Sequence, residues 1–173
     1  LHMNLSGTTG VGKSVFVSAL MRRMKQAHQP ISVLFVDHLY SYRRLVESEK
    51  CQYLEPTSNV ELSSCLENAL LLLNHPGTFV GIEMSGILEL EKREAFHTLL
   101  NGIENFLKTR STFHVVYVVL DECWNILKNE PFLVQRAFRE FRKLNGAAIA
   151  ITQSLSDLLK EENWKEADNA AVG

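Results

Sequence analysis

Residues 7–15 read GTTGVGKSV, and the fold turns on this stretch. Gly7, Thr8, Thr9, Gly10, Val11, Gly12, Lys13 and Ser14 meet the spacing G-x-x-x-x-G-K-[ST], which forms a phosphate loop when it joins a strand to a helix. Both flanks suit that role: a short apolar stub occupies residues 1–6, and Val15 opens an amphipathic stretch that predicts a helix from Lys13 to Ala27. Glycines let successive backbone N–H groups converge on phosphate oxygens, and the N-terminal end of the following helix adds favourable partial charge. Lys13 would reach the β- and γ-phosphates of a nucleoside triphosphate, and Ser14 would hold Mg²⁺.

Outward from the loop, apolar runs alternate with amphipathic ones. ISVLFVD closes a strand at Asp37, and Ser58 and Glu61 have capping-box spacing ahead of a helix that stops at HPG. TFVGIEM reads as another strand, followed by a helix over roughly Leu88 to Lys108. FHVVYVVLDE is the most apolar run and so a strand buried on both faces. Pro131 then suits the first turn of a helix leading to Gly146, and AAIAIT is a last strand closing at Gln153. This rhythm predicts an α/β fold with a mostly parallel sheet flanked by helices, in one domain over residues 1–173.

Three further groups carry chemistry. The strand VVYVVL delivers Asp121 to its carboxyl end, where open α/β sheets place their ligands, so Asp121 is expected to assist Ser14 at the Mg²⁺ site. Glu122, on the opposite side of the strand terminus, can orient the water that attacks the γ-phosphate or stand as a solvated strand-end acid. Gln153 brings an amide to the end of an apolar strand, either to sense the γ-phosphate or to cap the next helix. Arg136, Arg139 and Arg142, with Lys143, share one side of a helix. That side is a solvated face balanced by Glu140, a source of an arginine for a neighbouring subunit's phosphate, or a DNA backbone contact; the spacing does not choose.

Bulk properties narrow the classes. A formal net charge of -2 gives no global basic field for nucleic acid. Three cysteines without Cys-x-x-Cys spacing argue against a disulfide or zinc framework. No apolar run approaches the roughly 18 to 20 residues of a spanning helix. A phosphate loop follows a buried strand, yet at most six residues precede Gly7, so residues upstream are expected to be missing.

Several stretches together resemble the VirB/TraC-type ATPases of bacterial type IV secretion and conjugative transfer. The phosphate loop, VLFVDHLYSYRRLV, VGIEMSGI, VVYVVLDECWNIL and FRKLNGAAIAITQSLSDLL carry the likeness across most of the chain. Where that family often has glycine two residues after the strand-ending aspartate, this chain has Leu39. The resemblance implies a RecA-like core in which the strand ending at Gln153 lies between the phosphate-loop strand and the strand of Asp121. It implies Glu122 as catalytic acid, Gln153 as γ-phosphate sensor and Arg142 as an arginine acting on the next subunit. ATP and Mg²⁺ would be the ligands, and a hexamer at the cytoplasmic face of the inner membrane, contacting secretion-channel components, the working state. The family's N-terminal domain and its later helices are absent, so the chain is expected to be the motor core of a longer protein. A DNA-pumping translocase of the HerA/FtsK kind and a nucleotide-gated scaffold with little hydrolysis are the alternative functions.

Overall fold

The structure is a computed structural model that describes residues 3–6, 12–27, 30–121 and 131–152. Six strands form one sheet: β1 (Met3–Ser6), β2 (Ile31–Asp37), β3 (Tyr53–Leu54), β4 (Phe79–Glu83), β5 (Val115–Leu120) and β6 (Gly146–Thr152). Among the described residues five helices accompany them: α1 (Lys13–Gln26), α2 (Arg43–Ser48), α3 (Asn59–Leu72), α4 (Lys92–Thr109) and α5 (Pro131–Lys143). The strand order is β1-β6-β5-β2-β4-β3, and every pairing is parallel. The expected α/β class holds, and β6 lies between β1 and β5 as the resemblance implies.

The apolar runs form strands because each residue finds a helix-covered layer on its own side. Along β2, Leu34 and Val36 join Leu62, Leu66, Leu99, Ile103 and Phe141 in a core beneath α3, α4 and α5. Val33 and Phe35 face the other way, into a core with Val17 and Met21 of α1 and Leu45 and Val46 of α2. The strand is therefore buried throughout, and an unbroken apolar sequence is what such a strand needs.

Two local expectations shift. The Ser58 hydroxyl accepts the Glu61 N–H at 3.3 Å, but the Glu61 carboxylate reaches Thr57, accepting its N–H and its hydroxyl at 2.8 Å each. Helix α4 starts at Lys92 rather than near Leu88 because residues 85–91 close into turns, with Ile87 N–H on Met84 O and Glu91 N–H on Leu88 O. No helix among the described residues is long and apolar enough to cross a membrane.

Candidate nucleotide-binding site

All six strands run the same way, so their carboxyl ends share one edge of the sheet. The register makes that edge explicit: Asp37 pairs with Glu83, Val36 with Leu120, Leu120 with Ala150 and Ser6 with Thr152. Asp121 follows Leu120 on the row of Asp37, its N–H bonded to Val36 O at 2.9 Å. Beside it on that edge, two strands away, β1 ends. At about 4.8 Å per strand, β1 and β5 stand about 10 Å apart, with β6 between them.

Gly12, just before α1, has φ +84° with no described atom within 4 Å of the place a Cβ would occupy, so among the described residues what demands glycine there is the left-handed backbone. Its carbonyl accepts the Phe16 N–H at 2.8 Å and starts α1. No acidic residue stands in the first turn of α1, which leaves the positive end of the helix available to an anion. Lys13 and Ser14 occupy that turn, both half-buried. Of the other residues assigned from sequence, Gly7–Val11, Glu122 and Gln153 lie outside the described residues.

Asp121 is buried and faces an oxygen-bearing neighbour that the sequence did not advertise. Tyr42 is fully buried with its ring stacked on Phe35 at 4.6 Å between centroids. Its hydroxyl has no partner in hydrogen-bonding geometry among the described residues. Burial and then the Asp121 carboxylate push the phenol pKa up, while the Ser14 hydroxyl pulls it down, so Tyr42 stands close to both. Ser14, Asp121 and Tyr42 offer oxygen donors only, a set that fits Mg²⁺, which takes one or two carboxylates and completes its shell with water and phosphate. The described residues contain no cluster of three or more His, Cys, Asp or Glu, and a nucleotide-borne Mg²⁺ does not need one.

A second group of acids lies along the same edge. The Tyr53 hydroxyl sits 2.6 Å from Asp37 Oδ2 and 2.9 Å from Glu83 Oε2. Asp37 also accepts the N–H groups of His38, Ser41 and Tyr42, and Glu83 those of Leu39, Tyr40 and Ser85. Burial raises the Asp37 pKa, offset in part by the hydrogen bonds from Tyr53 and Tyr42 and reinforced by Glu83. Burial also acts upward on Glu83, but hydrogen bonds from Ser85, Tyr40 and Tyr53 outweigh it and leave that pKa lowered. The pair thus divides into a carboxylate at Glu83 and a more readily protonated acid at Asp37.

This pair holds residues 38–42 in an unusual shape. Leu39 and Tyr40 have φ of 62° and 60°, a left-handed conformation that costs an L-residue roughly 1–2 kcal/mol. Leu39 therefore takes up the backbone that glycine adopts easily, and the N–H bonds to Glu83 hold it there. One sequence signal pointed to this network: Gly81, inside an apolar strand, marks a close approach. A Cβ at Gly81 would lie 2.3 Å from the Tyr53 ring, so the glycine makes room for the ring that bridges the two acids.

The basic side of α5 divides. Arg136 turns back to Glu104 of α4 at 3.1 Å, and Lys143 pairs with Glu140 at 2.9 Å. Arg139 and Arg142 are exposed. Because α5 runs into the amino end of β6, Arg142 lies toward the sheet edge opposite the carboxyl end of β1.

Strand order, the left-handed Gly12 and the position of Asp121 define an α/β domain with the RecA-like P-loop NTPase fold. Among solved structures the chain is similar to VirB4 of Thermoanaerobacter pseudethanolicus, with a TM-score of 0.67 at 12% identity over 95% of this chain and 72% of that one. It is also similar to the genome packaging NTPase B204 of Sulfolobus turreted icosahedral virus 2 in complex with AMPPCP, with a TM-score of 0.56 at 19% identity over 89% of this chain and 65% of that one. The same NTPase in complex with ATP-gammaS matches with a TM-score of 0.53 at 16% identity. Neither a protein-family model nor a curated protein matches the sequence. At these identities the likeness is one of fold, and it agrees with the resemblance to VirB-type ATPases carried by the motifs.

Proposed function

We propose that this chain is the Mg²⁺-dependent ATP-hydrolysing core of a motor that assembles, or moves substrate through, a type IV secretion or conjugation apparatus. The observation that carries the reading is the placement of β6 between β1 and β5, which sets the carboxyl end of β1 and Asp121 about two strand spacings apart at one sheet edge. The likeness to VirB4 over 95% of the chain supports the machine, and a fold neighbour in complex with ATP-gammaS supports the ligand.

In this reading residues 7–15 wrap the phosphates, Lys13 neutralises charge on the β- and γ-phosphates, and Ser14 and Asp121 hold the metal. Mg²⁺, when bound, offsets the charge that builds on the phosphate oxygens. Glu122 orients the attacking water and accepts its proton, and Gln153 bonds the γ-phosphate or that water. Arg142, toward the opposite sheet edge, serves the next subunit of a hexamer at the inner-membrane face. The match spans 72% of the solved VirB4 chain.

The packaging NTPase among the fold neighbours favours one second reading, a DNA-pumping translocase. Steady-state ATP turnover measured with and without single- and double-stranded DNA separates the two. Turnover that rises with oligomer formation and ignores DNA supports the secretion motor. Strong stimulation by DNA supports the translocase and makes Arg139 and Arg142 candidate phosphate contacts.

A further inference from the structure

Tyr42 is fixed from three directions. Its ring stacks on Phe35 with 21° between planes, its N–H donates to Asp37 Oδ2 at 2.7 Å, and its carbonyl accepts the Val46 N–H at 3.0 Å. Asp37 is itself held by the Tyr53 hydroxyl at 2.6 Å, so the loop that carries Tyr42 has little freedom. Phenylalanine would meet every one of these packing and backbone demands.

The hydroxyl is the part that packing does not explain. It is buried and lacks a partner in hydrogen-bonding geometry among the described residues, and a buried hydroxyl without a partner is a net cost. Tyr42 packs in one core with Val17, which is one turn along α1 from Ser14, and its hydroxyl stands near the Ser14 hydroxyl and the Asp121 carboxylate. The partner it lacks is therefore expected where Ser14 and Asp121 meet. Neither is in hydrogen-bonding geometry with the Tyr42 hydroxyl, and a divalent cation bound between them would bring further oxygen atoms in its water shell.

We infer that Tyr42 is a positioning residue of the metal site, its hydroxyl donating to a water or carboxylate oxygen in the shell of a divalent cation held between Ser14 and Asp121. The inference rests on the nucleotide-binding reading above. It also gives the Asp37–Tyr53–Glu83 network a role, since that network fixes the loop that aims the Tyr42 hydroxyl.

The test compares wild type with Tyr42→Phe for binding of ATPγS, once with Mg²⁺ and once with EDTA, alongside thermal melting without ligand. The variant is expected to bind about 5- to 10-fold more weakly with Mg²⁺, the scale of one lost hydrogen bond, and equally well with EDTA. Its ligand-free melting temperature should be unchanged or higher, since an unpartnered buried hydroxyl has been removed. Equal affinities with Mg²⁺, an equal loss in both conditions, or a lowered melting temperature would overturn the inference. A wild-type chain that binds ATPγS more tightly with Mg²⁺ than with EDTA upholds the nucleotide-binding reading whatever the variant does. A wild-type chain that binds no nucleotide removes both readings.

Discussion

Replacing Tyr53 by phenylalanine removes one oxygen from between two buried acids, and the structure sets the size of the effect. The hydroxyl lies 2.6 Å from Asp37 and 2.9 Å from Glu83, but a phenol has one proton and can donate only one full bond at a time. Each acid keeps three backbone N–H donors, so neither is left bare. The loss is thus one hydrogen bond to a charged group, about 1.5–3 kcal/mol and not twice that. The pH dependence comes from Asp37. Burial first, with Glu83 adding, holds its folded pKa above the unfolded value, while the Tyr53 hydrogen bond lowers it. A raised carboxyl pKa gives stability that is full below the unfolded pKa and is lost as pH rises through the folded one. Without the phenol that pKa climbs further, so the variant's deficit should widen as pH rises above the ordinary carboxylate range. Urea denaturation midpoints read this directly at constant slope. An unchanged midpoint, or a deficit that narrows as pH rises, would refute the network as described. Gly81→Ala gives an independent check, because its Cβ would press within 2.3 Å of the Tyr53 ring. It should cost about 1–3 kcal/mol in wild type and far less in a Tyr53→Ala background, where the ring is gone.

Three other outcomes are expected. Leu39→Gly should stabilise the chain by up to about 1 kcal/mol in the same denaturation assay, since relief of the left-handed backbone at φ 62° exceeds the added freedom of the unfolded glycine; a loss of stability would show that the Leu39 side chain is needed. His114, buried with Nε2 2.9 Å from Leu73 O and 3.0 Å from the Ser32 hydroxyl, has its pKa depressed by burial. Its contribution is therefore present above the unfolded histidine pKa of about 6.5 and lost as pH falls through the folded value, so a His114→Gln variant should show a flatter stability profile on the acid side. Arg142→Ala should slow ATP turnover only in the assembled form, and an equal loss in a proven monomer would remove its role toward a neighbour.

How far the sequence could be read depends on the range of the interactions. The phosphate loop, the apolar strands and Asp121 declare themselves because each rests on neighbours along the chain: a turn, a period, a strand end. β6 between β1 and β5 followed from the family likeness and not from any local pattern. Tyr53 was silent, since β3 has two residues and no period, and its meaning comes from Asp37 and Glu83 on other strands. Tyr42 has no motif around it, and both its stacking on Phe35 and the placement of its hydroxyl required the third dimension. Arg136 looks like a member of one basic side, yet Glu104 of a different helix claims it. Leu39 was legible only as a departure from the glycine of the resembled family, and its positive φ is a conformation that glycine adopts easily.

The most direct measurement is phosphate release from MgATP by the wild-type chain and by Glu122→Gln, with nucleotide binding followed in the same samples. The expected result is that the variant retains MgATP while its turnover falls by about a hundredfold or more, the scale of losing a general base. Equal rates in the two proteins, or a wild-type chain that binds no nucleotide, would contradict the assignment of this fold as an ATP-hydrolysing motor.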